Sequence, residues 1–134
     1  MLRMSSQLRE QVISHCRSRY PKEACGLFAG QDGTAEQVYF MRNIEDSPIG
    51  YSMDPREQLQ VEKQMRQNGQ KLVGIFHSHT ASAAYPSSVD VTLALSPDVS
   101  YVLVSLTDQA NPDFRSYRID GSRVTEEPVR AIEP

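Results

Sequence analysis

The stretch HSHTASAAYPSSVD (residues 77–90) sets two histidines one residue apart at the end of an apolar run, then a loop, then a serine and an aspartate. The residues leading into it, KLVGIFHSH (71–79), have the composition and length of a strand from the middle of a sheet. Residues i and i+2 of a strand point to one face about 6.5–7 Å apart, so His77 and His79 can converge on one ion while Ser78 faces away. After the loop, Ser87 begins a short helix that runs to Leu95 and stops before Pro97. Asp90 falls in its first turn, where the helix dipole tolerates a carboxylate and the side chain can turn back toward the strand end. Zinc takes nitrogen ligands at about 2.0–2.1 Å and usually four ligands in all. Two histidines and an aspartate around one zinc ion per chain therefore leave an open position, as in a hydrolytic site.

Each residue also has an ordinary structural account. A single histidine near a strand end is commonly a hydrogen-bonded rim residue, and Ser87-x-x-Asp90 has the form of a capping box. The joint pattern, His-x-His followed after seven residues by Ser-x-x-Asp, should arise by chance in only about one in a few thousand chains of this composition. That rarity favours the metal. Hydrolysis also needs a general base. Glu23, in YPKEACGLFAG just before a strand, has apolar neighbours that would hold a carboxylate near the sheet, although alone it also reads as a solvated loop acid. Glu10, Glu36, Glu45, Glu57 and Glu62 fall on faces expected to be exposed.

Outward from this stretch, Leu8, Val12, Ile13 and Cys16 recur at helical spacing behind Ser5 and Ser6, so residues 5–20 read as an amphipathic helix stopped near Pro21. Residues 24–30 and 36–44 read as two strands joined by a turn at Asp32-Gly33. The segment DPREQLQVEKQMRQNG has complete helix punctuation, with Asp54 as N-cap, Pro55 at the first position, Glu57 at N3 and Gly69 past the end. Residues 99–106 are rich in β-branched side chains, and residues 114–120 and 122–129 read as strands linked at Asp120-Gly121. Helices interleaved with hairpins predict an α+β (mixed α/β) domain, residues 1–134, with one largely antiparallel sheet. His15 is expected to face solvent, Cys25 to be a packed thiol, and Tyr85 and Pro86 to fix the loop.

The composition narrows the partners. With 14 basic and 17 acidic residues the net charge is −3, which lacks the basic face of a nucleic-acid partner. No segment approaches the roughly 20 apolar residues of a membrane span. The opening MLRMSSQLREQ has neither the apolar core nor the cleavage site of a secretory signal, so a cytoplasmic location is expected. Two cysteines, Cys16 and Cys25, are too few for a disulfide framework and match no CxxC or zinc-ribbon spacing.

Together, Glu23, His77-Ser78-His79, seven intervening residues, Ser87 and Asp90 resemble the JAMM motif of the MPN+ metalloproteases: E, H-[ST]-H, x7, S-x-x-D. PKEACGLFAG, the stretch from Asn43 to Met53, and AYPSSVD are similar to the short bacterial branch, which includes peptidases acting on ubiquitin-like sulfur-carrier proteins. The resemblance spans about residues 5–120 and implies a curved mixed sheet flanked by helices, similar to cytidine deaminases. It implies that His77, His79 and Asp90 bind zinc, that Glu23 shuttles a proton, and that Ser87 hydrogen-bonds the developing oxyanion. The implied substrate is a small ubiquitin-like or sulfur-carrier protein with a Gly-Gly tail; the alternative is a noncatalytic MPN-like scaffold for such partners. Deaminase chemistry is disfavoured because HxE and PCxxC are both absent. Thr80 stands where many relatives have proline, which bears on the rigidity of the loop and not on ligation; the segments 43–51 and 108–114 are short where deubiquitinating relatives carry longer insertions, so polyubiquitin linkage specificity does not carry over.

Overall fold

The computed structural model describes residues 1–133. Its elements are β1 (Leu2–Met4), α1 (Ser6–Arg19), β2 (Cys25–Gln31), β3 (Thr34–Met41), α2 (Pro55–Gln67), β4 (Lys71–His79), α3 (Ser88–Leu93), β5 (Ser100–Ser105), β6 (Asp113–Asp120), β7 (Arg123–Glu127) and β8 (Val129–Ala131). All eight strands form one curved mixed sheet in the order β7-β6-β5-β4-β2-β3-β1-β8. Four pairings are antiparallel (β2–β3, β2–β4, β5–β6, β6–β7) and three are parallel (β1–β3, β1–β8, β4–β5).

The central strands β2 and β4 are buried on both faces, and alternation sorts their side chains between two layers. On one face Phe28 and Phe76 pack with Leu8, Val12, Ile13 and Cys16, the four residues whose spacing marked α1 as amphipathic. The tilted Phe28–Phe76 pair, centroids 5.5 Å apart, adds about 0.5–1.5 kcal/mol to the burial of the two rings. On the other face Cys25, Leu27 and Ala29 meet Met41 and Met65, and Met65 brings α2 onto the sheet. A Cβ on Gly26 would come within 2.2 Å of the Phe76 ring, so only glycine lets β2 and β4 approach here.

Helix starts and turns follow the local chemistry. Ser5 caps α1 by accepting from the Leu8 N–H, and Asp54 caps α2 by accepting from the Arg56 N–H ahead of Pro55. Asp32 and Gly33 both take positive φ, 51° and 75°, as a tight two-residue hairpin turn demands.

Two expectations need correction, and one strand was not expected. The strand expected over 122–129 is two strands, because Pro128 offers no N–H and the chain leaves β7 there; β8 then pairs with β1 at the opposite edge. The three-residue β1 carries too little pattern to be seen in sequence, and lies between β3 and β8. Helix α3 ends at Leu93, not Leu95, with Ser87 outside it as the N-cap.

Candidate metal centre

The site stands where β4 ends. Because β4 alternates, His77 and His79 turn to the α2 and α3 side of the sheet, while Ser78 turns to the α1 side. Ser78 is fully buried and holds the chain beside Glu23: the Ala24 N–H donates to Ser78 Oγ at 2.8 Å, and the Ser78 N–H donates to the Ala24 carbonyl at 3.0 Å. The middle residue of His-Ser-His thus ties Glu23's neighbour to the strand that carries the histidines. Ser78→Ala would leave the Ala24 N–H without its buried acceptor. Urea unfolding should then show a loss of about 1–3 kcal/mol; an unchanged midpoint would show that the hydroxyl is dispensable.

Three donor atoms converge above the strand end. His77 Nε2 lies 3.1 Å from His79 Nε2 and 3.2 Å from Asp90 Oδ1, and His79 Nε2 lies 3.1 Å from Asp90 Oδ2. Tetrahedral ligands about 2.0–2.1 Å from a common ion are separated by about 3.3–3.4 Å, so the spacing suits such an ion. The tautomer suits it too. His79 Nδ1 sits 2.8 Å from the Ala83 carbonyl, which puts the proton of a neutral ring on Nδ1 and leaves a lone pair on Nε2. Electron-rich atoms this close repel one another unless a proton or a metal cation lies among them, so the donor set fits a metal.

The electrostatics agree. Burial holds the His77 imidazole below the usual histidine value, against the pull of Asp90. Burial acts in the same sense on His79, but the hydrogen bonds to Asp90 and Ala83 outweigh it and raise its pKa. Burial opposes the charge on Asp90, yet the hydrogen bonds from the two imidazoles hold it well below the ordinary carboxylate range. Tyr51 lies over His77, ring centroids 4.5 Å apart and planes at 26°, and limits the rotation of that ring.

The helix cap and the donor set are one structure. Ser87 Oγ accepts the Asp90 N–H at 3.1 Å, and the Ser87 N–H donates to Asp90 Oδ2 at 2.8 Å. Capping therefore aims the Asp90 carboxylate at the histidines, and the structural account of Ser-x-x-Asp holds alongside the chemical one. Accepting that bond leaves the Ser87 O–H proton free to donate toward the cleft.

Glu23 faces the same centre. It is buried, 8% exposed, and lines a cleft of about 410 Å³ with His79, Thr80, Ser87 and Asp90. Desolvation, helped by the charges of Asp90 and Glu45 and opposed by His79, pushes its carboxyl up to about 7. Glu45, expected on an exposed face, is indeed exposed, yet it too lines this cleft. A second cleft, about 350 Å³ and mainly apolar, meets the first at Tyr51, Asp90 and Leu93; Met53, Ile75 and Tyr101 are among its walls. The donor set lies where the two clefts join.

Cys25 is buried as expected. Pro86 is buried, and Tyr85 packs edge-on against Tyr117, consistent with loop support. His15 departs from expectation: it is half-buried and stacked 4.0 Å from Phe40, because β3 brings that ring against α1. Sequence reading passed over Tyr51 and Asn43. It read Thr80 as a lost proline, but the Thr80 hydroxyl donates to the Pro48 carbonyl at 2.9 Å and ties the loop in another way. Tyr51 and Asn43 both lie in the stretch from Asn43 to Met53 that carries part of the family resemblance.

Among the described residues no helix is long and apolar enough to cross a membrane. The model of the prokaryotic homologues of the JAB domain matches residues 5–120. A CysO-cysteine peptidase of Mycobacterium tuberculosis is 44% identical over 135 residues, covering 99% of this chain and 92% of that protein. A desampylase of Pyrococcus furiosus is 39% identical over 69 residues, 52% of this chain and 49% of that protein. The solution structure of a Desulfitobacterium hafniense protein shares the fold with a TM-score of 0.91 at 40% identity, over 100% of this chain and 94% of that one. With the family's pattern running through most of its length, the chain belongs to the prokaryotic homologues of the JAB domain and is a peptidase of the JAMM type.

Proposed function

We propose that this protein is a cytoplasmic, single-domain zinc peptidase that hydrolyses the amide or isopeptide bond after the C-terminal Gly-Gly of a small ubiquitin-like or sulfur-carrier protein. The observation that carries the reading is the convergence of His77, His79 and Asp90, within 3.1–3.2 Å of one another, in the cleft that Glu23 and Ser87 also line. His77, His79 and Asp90 would hold one zinc ion, which supplies Lewis acidity for the amide carbonyl and lowers the pKa of water. Glu23 takes the proton of the attacking water and hands it to the leaving amine. Ser87 donates its free O–H to the developing oxyanion.

The two clefts meeting at the donor set suit an extended chain that passes the site with the scissile bond at the junction. Glycines are favoured there because an extended backbone can come close only where no Cβ intervenes. The relative named for CysO-cysteine supports a carrier whose tail bears cysteine. The scaffold alternative loses its basis, because the full donor set converges in a chain of the peptidase family. The buried free thiols Cys16 and Cys25 suit a reducing compartment.

Purified protein should contain about one zinc and cleave Gly-Gly-extended carriers in preference to a polyubiquitin chain, and a chelator should abolish the cleavage. Cleavage that survives complete metal removal, or zinc-loaded protein inert on every carrier in such a panel, would overturn the reading.

A further inference from the structure

Glu23 precedes β2, so the sheet ladder does not hold it; the loop between β3 and α2 does. The Glu23 N–H donates to the Ser47 carbonyl at 2.8 Å, and the Glu23 carbonyl accepts Asn43 Nδ2 at 3.0 Å. Both main-chain polar groups of Glu23 are thus held by a single irregular segment. Asn43 is the centre of that segment. Its Nδ2 also donates to the Gly50 carbonyl at 2.9 Å, and its Oδ1 accepts the N–H groups of Glu45 and Ser52, each at 3.1 Å. Two donors and two acceptors exhaust what an asparagine amide offers, and all four bonds go to main chain. The half-buried side chain therefore sets the path of residues 43–52 and grips Glu23 in the same act.

We propose that Asn43 is a positioning residue for Glu23: it fixes the Glu23 main chain beside the donor set and acts on the reaction only through that carboxylate. The inference rests on the reading of Glu23 as the base. Asn43 itself makes no hydrogen bond to His77, His79 or Asp90 among the described residues. A carboxylate released to wander by about 1 Å loses on the order of 10²-fold in rate without any change in its identity.

Two variants test this. Asn43→Ala removes all four bonds; Asn43→Asp keeps the acceptors for Glu45 and Ser52 but removes both donors and sets a carboxylate against two carbonyls. On a Gly-Gly carrier adduct, both should lower kcat by about 10–100-fold with KM changed less than about twofold and zinc content unchanged. Adding Asn43→Ala to Glu23→Gln should change the residual kcat less than about twofold. Amide hydrogen exchange supplies a readout independent of substrate. Protection of the Glu23 amide should fall at least about tenfold in both variants, while Leu27 and Phe28 in β2 keep theirs. Unchanged protection at Glu23, loss of zinc, a full additional loss in the Glu23→Gln background, or loss of cooperative unfolding in both variants would each overturn the assignment. Should the wild-type protein cleave no carrier adduct, the proposed function fails, and the exchange data still decide whether Asn43 holds Glu23.

Discussion

Glu23→Gln should lower kcat on a Gly-Gly carrier adduct by about 10²–10⁴-fold, the span of a positioned general base, with one zinc still bound. Glutamine keeps the shape and cannot take a proton. Burial, with Asp90 and Glu45 nearby, pushes the metal-free carboxyl up to about 7, which suits that proposed task. A bound cation pulls it back down, so the acid limb of kcat/KM should fall between the ordinary carboxylate value and about 7 and should vanish in Glu23→Gln. Titration of rate against pH reads both. Full activity in a zinc-loaded Glu23→Gln protein would remove Glu23 from the chemistry.

The same substitution has the opposite sign in stability. A carboxylate whose folded-state pKa is raised holds its proton more tightly when folded, so the protein loses stability as pH rises through the unfolded value to about 7. Glutamine escapes that loss. Metal-free Glu23→Gln should be more stable than the wild type at pH 8, by on the order of 1–3 kcal/mol, and indistinguishable at pH 4. Paired thermal melts at the two pH values would show it, and together with the lost activity would mark Glu23 as held in its place at the expense of the fold.

Much of this was legible in the sequence because it rests on local periodicity. His77 and His79 share a strand face by alternation alone, and Ser87 and Asp90 announce a helix start that also fixes the aim of the carboxylate. Leu8, Val12, Ile13 and Cys16 were readable as the buried stripe of α1 for the same reason. What stayed hidden depends on contacts between distant segments. The parallel pairing of β4 with β5 has no local signature, and Pro128 marks where β7 stops but not that β8 crosses to β1. Asn43 reads as part of the strand expected over 36–44, but β3 ends at Met41 and the fold brings Glu23, twenty positions earlier, within 3.0 Å of its amide. His15 misled because its helical position lies between the buried and exposed faces, and only Phe40 of β3 decides which it joins.

Asp90→Asn should abolish activity at micromolar zinc and weaken metal binding by more than about 10²-fold, beyond the 10–100-fold seen when residues merely supporting ligands are changed. The amide preserves the cap, since its oxygen can still accept the Ser87 N–H, so helix α3 should persist. What disappears is the charge that faces both imidazoles at 3.1–3.2 Å. The hydrogen bond and charge of Asp90 raise the pKa of His79, so on the proposed reading a zinc ion binding there would displace a proton from the pair. Calorimetry in buffers of different ionisation enthalpy near pH 7 should therefore register proton release in the wild type and less of it in Asp90→Asn. Stability follows the same logic with two signs. The depressed carboxylate contributes above its unfolded value and loses that contribution as pH falls through its lowered one, while the raised histidine contributes fully below about 6.5 and fades as pH rises past its folded value. The metal-free wild type should thus exceed Asp90→Asn in stability most clearly near pH 5–6, with the gap narrowing by pH 8. Equal zinc affinity in the two proteins, or a stability gap that widens with pH, would mean that Asp90 holds neither the cation nor the proton that takes its place.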